Sequence, residues 1–358
     1  MNFTLKNVGI IKNSTIKLDG LTIITGANNS GKSTVGKALY STIEGLYELE
    51  KKRIAEIRFN FVRLMFEIQG LLNFSPIYSV VDTTKCSQED ISYINMISHP
   101  YIIDNEIRNL DFIIGFKDFL TKFNSQYLLN ILKDSDAELS GEILAYIENF
   151  DSLQQKAIKV ITNLDPYLTE DYKIQFVDKS FVNQFNKEFS GQILPINAKA
   201  KENLSKIKLS NNNEIGCEVT IEGGSKILEE NKVLNNSFFT NAILIDDPLI
   251  LDDMRTKERK TNSPFGVTSL NHNERLISLL ATVDSDSIIE KEINEQQFSK
   301  VLSSINEILP GELKKEKGEY FYSEKDKAPL KVENLATGSK IFTIIKTLIL
   351  KSKLNILT

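Results

Sequence analysis

The sequence predicts an α/β fold that carries a large, mainly helical insertion. Three observations predict it. The first thirty residues hold short alternating and β-branched runs, the pattern of strands. A Gly-x-x-x-x-Gly-Lys-Ser loop then lies between an apolar run and a helical pattern. The texture stays helical to about residue 190 and turns strand-like after it.

Taken in order, Phe3–Val8 reads as a short strand and Ser14–Leu18 as a second, with Ile16 and Leu18 on one side. Asp19-Gly20 is a turn signal. Leu21-Thr22-Ile23-Ile24-Thr25 is compact, apolar and β-branched, as a buried strand should be. From Ser33, the residues Val35, Ala38, Leu39, Thr42, Ile43, Leu46 and Leu49 recur at three- and four-residue steps and predict a helix. Helical periodicity continues through Ile68, over Ile102–Leu132 and over Glu138–Leu164, punctuated by Pro76, Pro100 and Pro166.

Leu204–Leu209, Gly216–Glu222 and Lys226–Leu234 then read as strands, with Asn211-Asn212-Asn213 and Gly223-Gly224 as turns. Ala242–Ile245 is another apolar run, closed by Asp246-Asp247-Pro248. Helices return over Asn273–Leu309, and Tyr320–Tyr322 with Leu330–Val332 reads as a strand pair. Gly338–Lys351 is a strongly apolar helix, and Leu354–Thr358 looks like the start of another buried strand. The expected division is residues 1–50 for an N-terminal lobe, 51–190 for the helical insertion, and 191–358 for the rest of the lobe.

Composition narrows the function classes. The 358 residues include 41% hydrophobic and 25% charged, with net charge −5, so no whole-chain basic field attracts nucleic acid. Lys51, Lys52, Arg53, Arg58 and Arg63 cluster locally, as a solvated helix face or a DNA-contacting patch. The only cysteines, Cys86 and Cys217, have no metal-ligand spacing and suit a reducing cytoplasm. Two histidines, His99 and His272, leave little material for a zinc site or a Ser-His-Asp triad. Neither a signal peptide nor a membrane span is expected.

The loop Gly26-Ala27-Asn28-Asn29-Ser30-Gly31-Lys32-Ser33-Thr34 carries the chemistry. Its glycines let the backbone wrap so that N–H groups point inward at phosphate oxygens. The following helix adds its N-terminal dipole and free N–H groups. Lys32 is expected to reach the β- and γ-phosphates of ATP. The Ser33 hydroxyl is expected to ligate Mg²⁺, and Thr34 to contact the α-phosphate.

Two further stretches resemble a known family. Phe3-Thr4-Leu5-Lys6-Asn7-Val8-Gly9-Ile10-Ile11-Lys12 resembles the first strand and turn of the RecF/SMC/OLD-like branch of ABC ATPases. Asn334-Leu335-Ala336-Thr337-Gly338-Ser339-Lys340 resembles the ABC signature in degenerate form, with Ala336 in place of its serine and Thr337 in place of its first glycine. The resemblance implies an ABC-type head, a mixed sheet with flanking helices. ATP would be sandwiched in a homodimer or higher oligomer, with Thr337, Gly338, Ser339 and Lys340 reaching the γ-phosphate held by the partner subunit. It also implies a cytoplasmic protein acting in DNA repair or anti-phage defence, with DNA and a nuclease as partners. Read alone, the second stretch is equally a helix start with Thr337 as N-cap.

In that family an apolar strand ending in Asp-Glu (the Walker B strand) follows the signature helix by about ten residues, and a switch histidine comes later. The chain reaches Thr358 where that strand should begin, so the expectation is a chain cut before its catalytic carboxylates. A rival for the Mg²⁺ carboxylate is Asp246, with Asp247, after the run Ala242–Ile245. Three readings stay open: an ABC lobe, a complete P-loop NTPase using Asp246 and Asp247, and a nucleotide-gated module that does not hydrolyse.

Overall fold

The structure, a computed structural model, describes residues 1–98, 110–132, 140–194, 203–211, 214–235, 241–254, 270–281, 296–351 and 353. It is mixed α/β and divides into two units. One holds Met1–Leu49 and the described residues from Val177 onward; the other is Glu50–Phe176.

The first unit opens with β1 (Asn2–Val8) and β2 (Ile11–Lys17), an antiparallel hairpin closed at Val8 and Ile11. Its two-residue turn needs Gly9, whose φ is +54° and whose place for a Cβ lies 3.0 Å from Thr34 Cγ2. Helix α1 (Lys32–Leu46) packs on β1 through an apolar stripe that includes Val35, Ala38 and Leu46. Much later in sequence come β3 (Leu204–Asn211), β4 (Glu214–Glu222) and β5 (Lys226–Leu234). They complete a five-stranded sheet in the order β2-β1-β3-β4-β5. Phe3, Leu5, Ile207, Leu209, Val219 and Ile221 are buried while their neighbours along each strand are not, so alternation fixes the register. Side chains lock the distant pair: Ser205 Oγ donates to Asn7 O at 2.6 Å, and Asn7 Nδ2 donates to Leu204 O at 3.1 Å.

The helical unit starts with α2 (Leu49–Leu72) and continues through α3 (Gln88–Ser98), α4 (Leu110–Lys122), α5 (Ser125–Asn130) and α6 (Gly141–Thr162). Its core is aromatic. Phe61 meets Phe116 edge-on at 5.5 Å, Phe119 stacks on Phe123 at 4.7 Å, and Tyr93 and Phe150 complete the set. Helix α7 (Glu170–Glu188) belongs to this unit as far as Phe176; from Val177 it belongs to the first, short of the expected limit at 190. In the basic cluster, Arg53 is buried and forms a bidentate pair with Glu50, so it contributes nothing to an open cationic face.

The rest of the first unit contains α8 (His272–Ala281), α9 (Ser299–Ile308), a three-stranded antiparallel sheet and α10 (Thr337–Leu350). The strands of that sheet are β6 (Glu312–Glu316), β7 (Glu319–Ser323) and β8 (Leu330–Lys331). Ile250, Leu251, Leu276, Ile277, Ile344 and Leu348 form a shared core.

Three expectations fail. Leu21–Thr25 joins neither sheet, and Leu21 and Ile23 are 86% and 75% exposed rather than buried. Ala242–Ile245 is half-buried and likewise outside both sheets. The expected mixed sheet is replaced: every strand pairing among the described residues is antiparallel. A strand forms only where a neighbour completes its hydrogen bonds, and propensity alone supplies none. The expectations for Ile102–Asn109, Asn212-Asn213, Val283–Glu295 and Leu354–Thr358 lie outside the described residues.

Candidate functional site

The loop Gly26–Lys32 follows Thr25 and ends in α1. Asn29 and Gly31 take left-handed φ values of +63° and +96°. Gly31 is the residue before the helix and lies under the hairpin tip: a Cβ there would stand 3.0 Å from Ile11 Cγ1. No side chain caps α1, so its first-turn N–H groups have no side-chain acceptor. Lys32 folds back over the loop and donates to Gly26 O at 2.8 Å and Ala27 O at 2.6 Å. Asn28, Asn29, Ser30, Ser33 and Thr34, with Ile10, line a cleft of about 410 Å³. Gly26 instead lines a second cleft, of about 530 Å³, which shares Ser30, Gly31 and Lys32 with the first.

The second candidate stretch is the start of α10. Ala336 takes the N-cap position without a side-chain bond, so Thr337 is the first helical residue and not the cap. Thr337 and Gly338 are exposed and Ser339 is half-buried. Lys340 is different: it is 2% exposed, and its ammonium donates to Asp252 Oδ1 at 2.5 Å and Glu333 O at 3.2 Å. Its charge is engaged within the chain itself.

The third candidate, Asp246-Asp247, separates into two roles. Asp247 caps the 3₁₀ turn Pro248–Asp253 by accepting from Leu249 N at 2.9 Å. Asp246 faces α1: its Oδ2 lies 3.6 Å from Lys37 Nζ. Behind it stands His272, to which the sequence assigned no role. Its Nε2 is 3.8 Å from the same Asp246 oxygen, and its Nδ1 is 2.6 Å from Glu188 Oε2. Glu188 Oε1 also accepts from the His272 backbone N–H at 2.6 Å. A sequence signal for this placement exists. Asn271 and Glu274 form a reciprocal capping box, each side chain accepting from the other's backbone N–H at 2.9 Å, which puts His272 at the first position of α8. The rings of Tyr40, on α1, and His272 form a T-shaped pair with centroids 6.3 Å apart. Burial, then the charges of Glu44 and Glu188, push the Tyr40 hydroxyl well above the usual phenol range.

Among the described residues, no group of three or more His, Cys, Asp or Glu side chains could hold a metal unaided. Nor is any described helix long and apolar enough to cross a membrane. No family model, curated protein or solved structure matches this chain.

Proposed function

We propose that the first unit is an ATP-binding P-loop head of the ABC type, working as a dimer. The observation that carries the reading is the loop Gly26–Lys32. It pairs left-handed Asn29 and Gly31 with an uncapped helix N-terminus, and Lys32 lies across the loop. That combination suits a phosphate chain. Lys32 has three donors and now spends two on loop carbonyls; phosphate oxygens would take them over. Ser33 is exposed at the helix start, where its hydroxyl would hold Mg²⁺. Mg²⁺ would supply charge neutralisation between the β- and γ-phosphates.

For the dimer, the support is the exposed, uncapped start of α10 at Thr337 and Gly338, which suits a phosphate held by a second subunit. Lys340 is not part of that surface, so the reading keeps Thr337, Gly338 and Ser339 and leaves Lys340 out. DNA, a nuclease partner and a role in repair or anti-phage defence rest on the family resemblance of residues 3–12 and 334–340 alone.

A second reading has one observation in its favour. Asp246 stands beside α1, where a Mg²⁺ carboxylate belongs in a complete NTPase. Asp247, engaged as a cap, leaves that reading with a single carboxylate.

The test is calorimetric titration of Mg²⁺-ATP into the wild-type chain and Lys32→Ala. The lost charge-assisted bonds contribute about 3 kcal/mol, so affinity should fall about 100-fold. Equal affinity in the two proteins would sink the proposal. Robust turnover by the wild-type chain alone would move the weight to the second reading.

A further inference from the structure

A buried polar cluster lies behind Asp246 that nucleotide binding by the loop does not use. His272 is 6% exposed, and its Nε2 has no hydrogen-bond partner. Leaving such an atom unpaired costs about 1–3 kcal/mol, so its retention calls for a reason. The ring is not free to turn away. Both Glu188 oxygens hold the residue, one on the ring and one on the backbone N–H. An ionised carboxylate only accepts, so Nδ1 carries a proton toward Glu188; Nε2 is the atom presented to Asp246, and it holds that carboxylate when it too is an N–H, in the doubly protonated ring. Glu188 is itself anchored on α7, beside Gln184, which donates to Leu270 O at 3.1 Å just ahead of α8.

Asp246 is held loosely by comparison. Its Oδ2 lies 3.6 Å from Lys37 Nζ and 3.8 Å from His272 Nε2, outside hydrogen-bond range of both. Lys37 is four residues after Ser33 on α1, so the two share one helix face. The carboxylate therefore approaches a side chain that is rooted one turn along α1 from the hydroxyl assigned to Mg²⁺. The donor set fits that ion. Mg²⁺ is bound by one or two carboxylates or hydroxyls, with phosphates and waters completing the shell, and no three-ligand protein cage is present among the described residues.

We propose that Glu188 and His272 are positioning residues for Asp246. Glu188 fixes the imidazole, and the imidazole sets the Asp246 carboxylate on the metal side of the P-loop, in exchange for its contact with Lys37. The arrangement is an outer-shell support of the kind that tunes metal sites. It rests on the nucleotide-binding reading and adds the residues that give that binding its Mg²⁺ dependence.

The test uses the full chain and a non-hydrolysable ATP analogue, titrated calorimetrically in excess Mg²⁺ and in EDTA. His272→Asn keeps an amide N–H where Nδ1 bonds Glu188 but no longer reaches Asp246. His272→Gln puts an amide where Nε2 stands. His272→Asn should lose about tenfold of the Mg²⁺-dependent gain, with EDTA affinity unchanged, while His272→Gln retains most of it. Lys37→Met removes the competing charge from a partly exposed pair, so Mg²⁺-dependent affinity should rise about two- to fivefold. An undiminished Mg²⁺ gain in His272→Asn overturns the proposal, as does an equal loss in Mg²⁺ and EDTA, which marks a packing role. If His272→Asn does not fold, Lys37→Met decides, and unchanged affinity there overturns it. Absence of binding by the wild-type chain in both buffers overturns the nucleotide reading and this proposal with it; wild-type binding with unresponsive variants overturns this one alone.

Discussion

Lys340 shows how one side chain decides between a recognition role and a structural one. Its ammonium is enclosed by Asp252 and the Glu333 carbonyl, and removing it strands an acceptor in each. Lys340→Met should therefore lower folding stability by about 2 kcal/mol, the net worth of hydrogen bonds to a charged group. Denaturant unfolding checks this. A phosphate contact in trans would instead weaken dimerisation with no stability change. Gly31 gives a second residue-scale expectation. Its φ of +96° strains any side chain, and a Cβ would press on Ile11 Cγ1 at 3.0 Å, so Gly31→Ala should cost about 1–3 kcal/mol in the same assay. These residues differ in how far the sequence announces them. The loop is legible because each motif position names a backbone requirement: φ, an N–H, a charge. The Glu188–His272 contact was not, because its partners lie 84 residues apart and meet only through tertiary packing.

The same division holds for whole elements. Amphipathic helices and the β3–β5 meander are legible because a local period reports which face is buried, and the turn at Gly223-Gly224 uses two positive φ values that glycine adopts freely. Leu21–Thr25 fails because its β-branched composition states a preference for a sheet, while pairing depends on a neighbour that local sequence cannot show. A run in which Leu21, Ile23 and Ile24 are exposed is an aggregation hazard. Ile23→Lys should raise solubility, read as the onset of light scattering with concentration. Its effect on unfolding free energy should stay within about 0.5 kcal/mol, as for other exposed positions. A larger loss of stability would mean that Ile23 is buried in the protein in solution.

At the scale of the molecule, each unit carries its own hydrophobic core: aromatic in Glu50–Phe176, and sheet-and-helix in the unit that holds the loop Gly26–Lys32. A ligand stabilises only what it binds, by RT ln(1 + [L]/Kd), about 2.7 kcal/mol at a hundredfold excess over Kd. Two cores of different composition need not melt together. Calorimetry should therefore resolve two transitions, and Mg²⁺-ATP should raise only one. Phe116→Ala identifies them. Phe116 is fully buried among Phe61, Tyr93 and Phe119, so its truncation should cost about 3–5 kcal/mol in the helical unit. The transition that Phe116→Ala lowers should be the one that nucleotide leaves in place, and Mg²⁺-ATP affinity should be unchanged. If the variant instead lowers both transitions together and weakens nucleotide binding, the helical unit contributes to the stability of the loop Gly26–Lys32. Its role would then be coupling to the nucleotide site rather than an independent core.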